Sequence, residues 1–297
     1  ITVDIGLRYT IMQPQYAALQ NAVVFDAKYF NPAKAPVVQP SNGLLVPGTG
    51  EGSWYLTALA ISNVALLGAG AQGQVLTDAM LRIPGLRFRA VCDIWEEYNQ
   101  KRVVNSLAKF KHEVRGYEDY REMLDKEKEL DAVVIATPDF WHSQHAVDCL
   151  KAGKHVYCEK EMSNTLDGAR AMVAAARETG KLLQIGHQRR SNPRYLHCYE
   201  KLLGEAKILG RIVTVNGQWN RAVSPDLGWP ERELLPESVL QKYGYANMHE
   251  FRNWRWFWDF GGGHLTDLYS HYGDVVQWYM NDTRPLVSAR AEATAAR

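Results

Sequence analysis

The sequence predicts an α/β fold, a parallel sheet with helices on both faces, followed by a second α/β unit of different architecture. Three observations predict it. From Ser62 to His187 short apolar runs alternate with helix-length amphipathic stretches, the pattern of strand–helix–strand crossovers. The runs Val64–Leu67 and Ala132–Ala136 are apolar throughout, as central parallel strands buried on both faces require. After His187 the alternation stops, and an irregular stretch rich in Trp, Arg and Pro occupies positions 219–260.

Taken in order, residues 1–60 read as an N-terminal extension or arm. Pro32, Pro36, Pro40 and Pro47 punctuate it, and ITVDIGLRYT is its one candidate strand. Residues 61–186 form the first domain. Strand NVALL leads into a helix over Gln74–Ile83, and a Pro84-Gly85 turn precedes strand RFRAVCDI. Helices follow near Tyr98–Phe110 and Tyr117–Leu130, then strand DAVVIATPD, helix His142–Ala152, strand KHVYCEK, helix Leu166–Thr179 and strand KLLQIGH. Residues 187–297 read as a second domain, to which the family resemblance described below assigns substrate binding and oligomerisation. It opens with a helix near Pro193–Glu205 and strand GRIVTVNGQW. Gly261-Gly262-Gly263 then leads into the helical run HLTDLYSHYGDVVQWYM, and strand PLVSARAEAT closes the chain.

Composition narrows the function classes. The 297 residues suit two domains, and 46% apolar with 23% charged residues excludes a disordered chain. Lys plus Arg (34) balances Asp plus Glu (33), so no bulk charge drives the chain toward nucleic acid or an anionic membrane. No apolar run reaches the ~18–20 residues of a membrane span. Cys92, Cys149, Cys158 and Cys198 form no C-x-x-C pair and read as reduced thiols, which suits the cytoplasm. The chain starts at Ile1 without Met, which leaves room for export after removal of a leader. The histidines form no metal-ligand pattern, and no metal is expected.

Gly68-Ala69-Gly70-Ala71-Gln72-Gly73 follows a strand and opens a helix. Gly68 permits a tight turn, Gly70 lets backbone approach a pyrophosphate, and Gly73 lets helix pack on strand. The helix N-terminus offers N–H groups and positive potential to phosphates. Asp93, ending the next strand, would accept hydrogen bonds from an adenosine ribose and repel a 2′-phosphate. Ile94 and Trp95 follow it rather than Arg, so NAD is favoured over NADP. Thr137, Pro138 and His142, then Glu159 and Lys160, then Gln188 follow later strands at the same carboxyl edge. They are assigned to the cofactor with Gln72.

Lys160 at that edge is placed to bond a substrate hydroxyl or assist proton transfer. Asp267 and His271, spaced i, i+4, share a helix face, where an acid fixes the tautomer of an imidazole. Asp274 continues that face and reads as structural. Arg190, Trp254, Arg255 and His264 are candidates for the substrate side, where aromatic faces pack against the C–H faces of a sugar.

The ordered motifs GAGAQG, CD, ATPDFWH, AGKHVYCEK, IGHQRRSNP and GGGHLTDLYSH resemble those of the glucose–fructose oxidoreductase / inositol dehydrogenase / MocA family over positions 62–297. The resemblance implies a Rossmann domain followed by an α/β domain on a large, mostly antiparallel open sheet, often used to form homo-oligomers such as dimers or tetramers. It implies NAD(P)-dependent oxidation of a hydroxyl on a sugar, cyclitol or related compound. It places the family's catalytic lysine on Lys160 and its paired aspartate and histidine on Asp267 and His271. Glu161 stands where the family usually has a proline, often in a cis bond. GRIVTVNGQW and PLVSARAEAT are too few strands for the second sheet, so that domain is expected to be incomplete or completed by residues 1–60. Two other readings are a glycoside-cleaving enzyme working by transient oxidation and elimination, and a non-catalytic nucleotide-binding scaffold or sensor.

Overall fold

A computed structural model describes residues 62–83, 85–217, 226–261 and 263–280, without the side chains of residues 263–266. Six parallel strands form one sheet: β1 Ser62–Leu67, β2 Leu86–Cys92, β3 Arg115–Tyr117, β4 Ala132–Ile135, β5 His155–Cys158 and β6 Leu183–Ile185. Their order is β3-β2-β1-β4-β5-β6, so the winding reverses between β1 and β4. That reversal opens a crevice at the carboxyl ends of the strands, where open α/β sheets bind ligands.

The register lines up one edge. Leu67 pairs with Cys92 and with Ile135, Ile135 with Cys158, and Cys158 with Ile185. Asp93, Gly68, Ala136, Glu159 and Gly186 therefore leave the sheet side by side. Strand periodicity buries both faces. Ala65, Leu67, Val133 and Ile135 pack with Cys149, Leu150 and Met172 on one face. Val64, Leu66, Phe88 and Val134 pack with Val103 and Leu107 on the other.

The crossovers run through α1 Ala71–Met80, α2 Lys101–Lys109, α3 Tyr120–Lys126, α4 Asp139–Lys151 and α5 Leu166–Thr179. α5 has the predicted bounds, set by Thr165, whose Oγ1 accepts from Gly168 N, and by left-handed Gly180. α1 begins three residues before its predicted start, immediately after Gly70. A π-type turn, Glu96–Gln100, opens the predicted helix near Tyr98–Phe110. The predicted helix Tyr117–Leu130 resolves into β3 and the shorter α3. Cys92, Cys149 and Cys158 are buried, and all four cysteines are free.

Beyond Gly186 come α6 Pro193–His197, prolonged by a π-type turn to Glu205, then α7 Glu237–Lys242, α8 Met248–Arg252 and α9 Gly263–Met280. The expected mostly antiparallel sheet is absent from the described residues, where the only sheet is the all-parallel one. Of the predicted strand GRIVTVNGQW, residues 210–217 hold a single isolated bridge at Asn216. Val213 is exposed there, while Ile212 and Val215 are half-buried. ITVDIGLRYT and PLVSARAEAT lie outside the described residues. The segment 226–261 instead builds an aromatic core of its own. Leu235, Leu240, Tyr245, Met248, Trp254 and Phe260 gather around Trp95, with Ile94, Tyr98 and Phe140 against them. This core docks on the loops after β2 and β4, and Trp95 Nε1 donates to Glu233 O at 2.6 Å.

Candidate active site

The glycine loop is built for close approach. Gly68 has φ of +95°, and a Cβ on it would stand 2.6 Å from the Ala136 carbonyl carbon. A Cβ on Gly73 would lie 2.0 Å from Gly68 O, so only glycine lets α1 meet β1 here. A Cβ on Gly70 would meet no heavy atom within 4 Å, so the first turn of α1 opens onto free space. The N–H groups of that turn have no partner within the helix. Asp93 closes the loop from β2, its Oδ2 accepting from Ala69 N at 2.7 Å and its Oδ1 from Trp95 N at 2.8 Å. Burial pushes its carboxyl up to about 6, against the pull of those N–H donors. An open helix N-terminus bordered by glycines and one carboxylate fits the pyrophosphate and ribose of a dinucleotide.

Gln72 and Glu159 join the first turn of α1 to the end of β5. Gln72 Nε2 donates to Glu159 Oε1 at 2.9 Å, and the Tyr157 hydroxyl donates to the same oxygen at 3.1 Å. Burial raises the Glu159 carboxyl. Thr137 follows β4, and its Oγ1 lies 3.0 Å from His145 Nδ1. Pro138 caps α4. Gln188 is exposed in a 3₁₀ turn after β6.

The next residue along, Lys160, reaches across to α9. Its Nζ donates to Asp267 Oδ1 at 2.8 Å and to Asp267 O at 2.7 Å. Both side chains are largely buried, at 14% and 12% exposure. Arg255 approaches the same carboxylate, its Nε 3.6 Å from Oδ1. His271 is buried one turn further along α9. Desolvation first, then the positive charges of Lys160 and Arg189, push its imidazole down to about 3, so it is neutral in the physiological range. The three residues singled out for catalysis thus converge at the carboxyl edge, and Asp267 is bonded to Lys160.

Two further carboxyls, Asp139, to which the sequence reading gave no role, and Glu161, lie within electrostatic reach of this pair. Asp139, the first residue of α4, is 8% exposed, and burial pushes it up to about 6. Burial and the negative charges of Asp139 and Asp267 push Glu161 up to about 7, with Lys160 and Arg255 acting against them. Glu161 Oε1 is buried without a hydrogen-bond partner among the described residues. The Lys160–Glu161 peptide bond is cis.

Other candidates take different positions. His142 is fully buried, with Nε2 2.7 Å from Thr137 O and Nδ1 2.5 Å from Glu161 O. It ties α4 to the Lys160 loop and offers no ring edge to a ligand. Arg190 is buried in an ion pair, its Nε donating to Asp274 Oδ1 at 2.7 Å, and it clamps the turn after β6 to α9. Asp274, read as structural from the sequence, holds Arg190 in this buried pair. Trp254 is 7% exposed inside the aromatic core, because an apolar ring in a cluster of seven apolar residues gains more from burial than from solvent. Of the substrate candidates whose side chains are described, Arg255 stands beside Asp267. His264 lies outside the residues whose side chains are described. Among the described residues no group of His, Cys, Asp and Glu could hold a metal ion.

The sheet order and the glycine turn define a Rossmann-type fold, and Lys160, Asp267 and His271 lie at the carboxyl edge of its sheet. Residues 62–187 match the model of an oxidoreductase family with an NAD-binding Rossmann fold, GFO_IDH_MocA. The chain is 31% identical over 196 residues to inositol 2-dehydrogenase of Rubrobacter xylanophilus, across 65% of this chain and 51% of that one. It is 29% identical over 187 residues to the NADP(+) scyllo-inositol 2-dehydrogenase IolW of Bacillus subtilis, across 61% and 48% of the two chains. Among solved structures it resembles the WlbA dehydrogenase of Chromobacterium violaceum in complex with NADH and UDP-GlcNAcA. The TM-score is 0.56 at 26% identity, over 74% of this chain and 55% of that one. The chain spans about half the length of the curated relatives it matches. No helix among the described residues is long and apolar enough to cross a membrane.

Proposed function

We propose that the protein is an NAD-dependent oxidoreductase that oxidises a secondary hydroxyl of a sugar, cyclitol or sugar derivative. The observation that carries this reading is the buried Lys160–Asp267 pair, with His271 one turn away, at the carboxyl edge that also presents the glycine loop. Gly68, Gly70, Gln72, Gly73 and Asp93 hold the dinucleotide, with Thr137, Pro138, Glu159 and Gln188 along the same edge. The negative charge of Asp93 favours NAD over NADP, whose 2′-phosphate it repels. NAD, when bound, supplies the hydride acceptor.

The chain's own residues handle the proton. Lys160 Nζ, bonded to Asp267, faces the substrate oxygen and stabilises the negative charge that develops as the O–H proton leaves. His271, neutral in the working range, orients the hydroxyl and accepts its hydrogen bond. Asp267 fixes the Lys160 amine and, with Arg255, marks the substrate side. Residues 187–297 would contribute the substrate and oligomerisation unit of a homo-oligomer, and the buried thiols suit the cytoplasm.

Steady-state NADH formation over a panel of sugars and cyclitols, myo-inositol included, tests the reading. It requires an activity that Lys160→Ala and His271→Ala each depress at least ~10²-fold, the lower end of general acid–base contributions. Turnover that survives both substitutions contradicts it. Net cleavage of a glycoside without release of NADH would assign the elimination chemistry instead.

A further inference from the structure

We propose that Asp274 and His187 form a second acid–imidazole pair of the site, and that His187 Nε2 recognises the substrate hydroxyl next to the one oxidised. The inference rests on the alcohol oxidation proposed above and adds a feature of its substrate, a vicinal diol. His187 lies at the carboxyl edge two residues past Ile185. Lys160 lies two residues past Cys158, the partner of Ile185 in the sheet. Gly186 N donates to Cys158 O at 2.8 Å, which holds the two chains side by side up to these residues. Adjacent strands run ~4.8 Å apart, a spacing from which two side chains reach neighbouring hydroxyls of one ring.

Two orphaned atoms reveal the pair. His187 Nδ1 stands 3.8 Å from Asp274 Oδ2, and both atoms are buried without a hydrogen-bond partner among the described residues. The other carboxylate oxygen, Oδ1, accepts from Arg190 Nε at 2.7 Å, which fixes the acid on α9. Buried polar atoms left unpaired are costly. A shift of ~1 Å brings this pair to the ~2.7–3.2 Å of an N–H···O bond. A carboxylate only accepts, so the bond puts the imidazole proton on Nδ1 and leaves Nε2 as an acceptor. Nε2 is not buried, and the side chain is 28% exposed. Burial pushes the imidazole down, against the pull of Asp274 and with Arg190 and Lys160 adding to it, so the ring is neutral at neutral pH. A neutral acceptor at this edge suits the O–H of a polyol. Lys160 and His271 both lie within electrostatic reach of the ring. Those two serve the reacting oxygen, which leaves His187 for its neighbour.

The first readout needs no substrate. Nitrogen NMR of the isotopically labelled protein, with His187 assigned by the signals that His187→Gln removes, is expected to show Nδ1 protonated and Nε2 bare. The second uses whichever polyol of the panel is oxidised. His187→Phe raises KM ~10-fold, the effect of losing one neutral hydrogen bond, and leaves kcat within ~3-fold. His187→Gln, whose amide reaches the position of Nε2, restores most of the affinity. The KM penalty disappears on analogues deoxygenated at the carbons next to the reacting one. The proposal is overturned if Nε2 carries the proton, if His187→Phe leaves KM unchanged, or if the penalty persists on every deoxy analogue. If no polyol is oxidised, the oxidoreductase reading fails on its own. The His187 Nε2 signal must then still shift when myo-inositol is added to the NAD-loaded protein, and an unmoved signal overturns the proposal.

Discussion

Two glycines three residues apart separate folding from cofactor binding. At Gly73 a methyl group would lie 2.0 Å from Gly68 O and 3.1 Å from its carbon. Even a close C···O contact needs ~3.3 Å, so α1 must retreat by more than ~1 Å or the glycine turn must open. Overpacking of this kind costs ~1–3 kcal/mol, and a clash with main chain rather than a flexible side chain belongs at the upper end. At ~2–4 °C per kcal/mol for a domain of this size, Gly73→Ala should melt ~6–12 °C below the parent. At Gly70 the same methyl meets nothing within 4 Å. The change at the N-cap costs under ~1 kcal/mol, and Gly70→Ala should melt within a few degrees of the parent. The methyl would occupy the space at the helix N-terminus, however, and NAD affinity should fall at least ~10-fold, or ~1.4 kcal/mol. Thermal melts followed by circular dichroism, with calorimetric titration of NAD, measure both effects. A Gly70→Ala protein that binds NAD as tightly as the parent would refute the assignment of that space to the cofactor.

Three further outcomes follow from the site and its surroundings. Lys160→Met leaves Asp267 buried without its closest cation. It should cost ~3 kcal/mol in urea unfolding, the low end for a broken buried pair, because Arg255 remains 3.6 Å away. Asp139→Asn should stabilise the protein by up to ~3 kcal/mol at pH 7.5 and by almost nothing near pH 4. The native carboxyl at about 6, above its unfolded value of 3.8, binds protons more tightly when folded, so the parent loses stability as pH rises through that window. Equal gains at both pH values would contradict the burial of Asp139. Trp254→Ala should cost ~3–5 kcal/mol, with catalytic losses that track unfolding, because its ring belongs to the aromatic core.

Local chemistry made the Rossmann half readable. The glycine spacing and the apolar strands each act within a few residues, and the structure places them as expected; the expected bounds of α5 coincide with the Thr165 and Gly180 caps. β3 escaped because Arg-Gly-Tyr has no apolar run, and its pairing with Ala90–Cys92 is made by the backbone. The second half depended on partners distant in sequence. Trp254 read as a sugar platform because the sequence does not show that Trp95, far away in the chain, supplies the neighbour it packs beside. Arg190 read as substrate-facing because its carboxylate, Asp274, stands 84 residues later. Lys160, Asp267 and His271 were legible through motif order, although the Lys160–Asp267 bond was not. Glu161 was visible as the odd residue after Lys160, but only the fold reveals its buried, unpartnered oxygen.

The central claim is that Lys160, Asp267 and His271 form one proton-handling site beside the nicotinamide position. A crystal structure with NAD and a bound polyol tests it most directly. The account predicts the reacting hydroxyl within hydrogen-bond reach of Lys160 Nζ and His271, ~2.6–3.2 Å or through one water. A polyol whose oxidisable carbon faces the nicotinamide while both side chains stand more than ~6 Å from its oxygen, beyond direct or single-water reach, would contradict it.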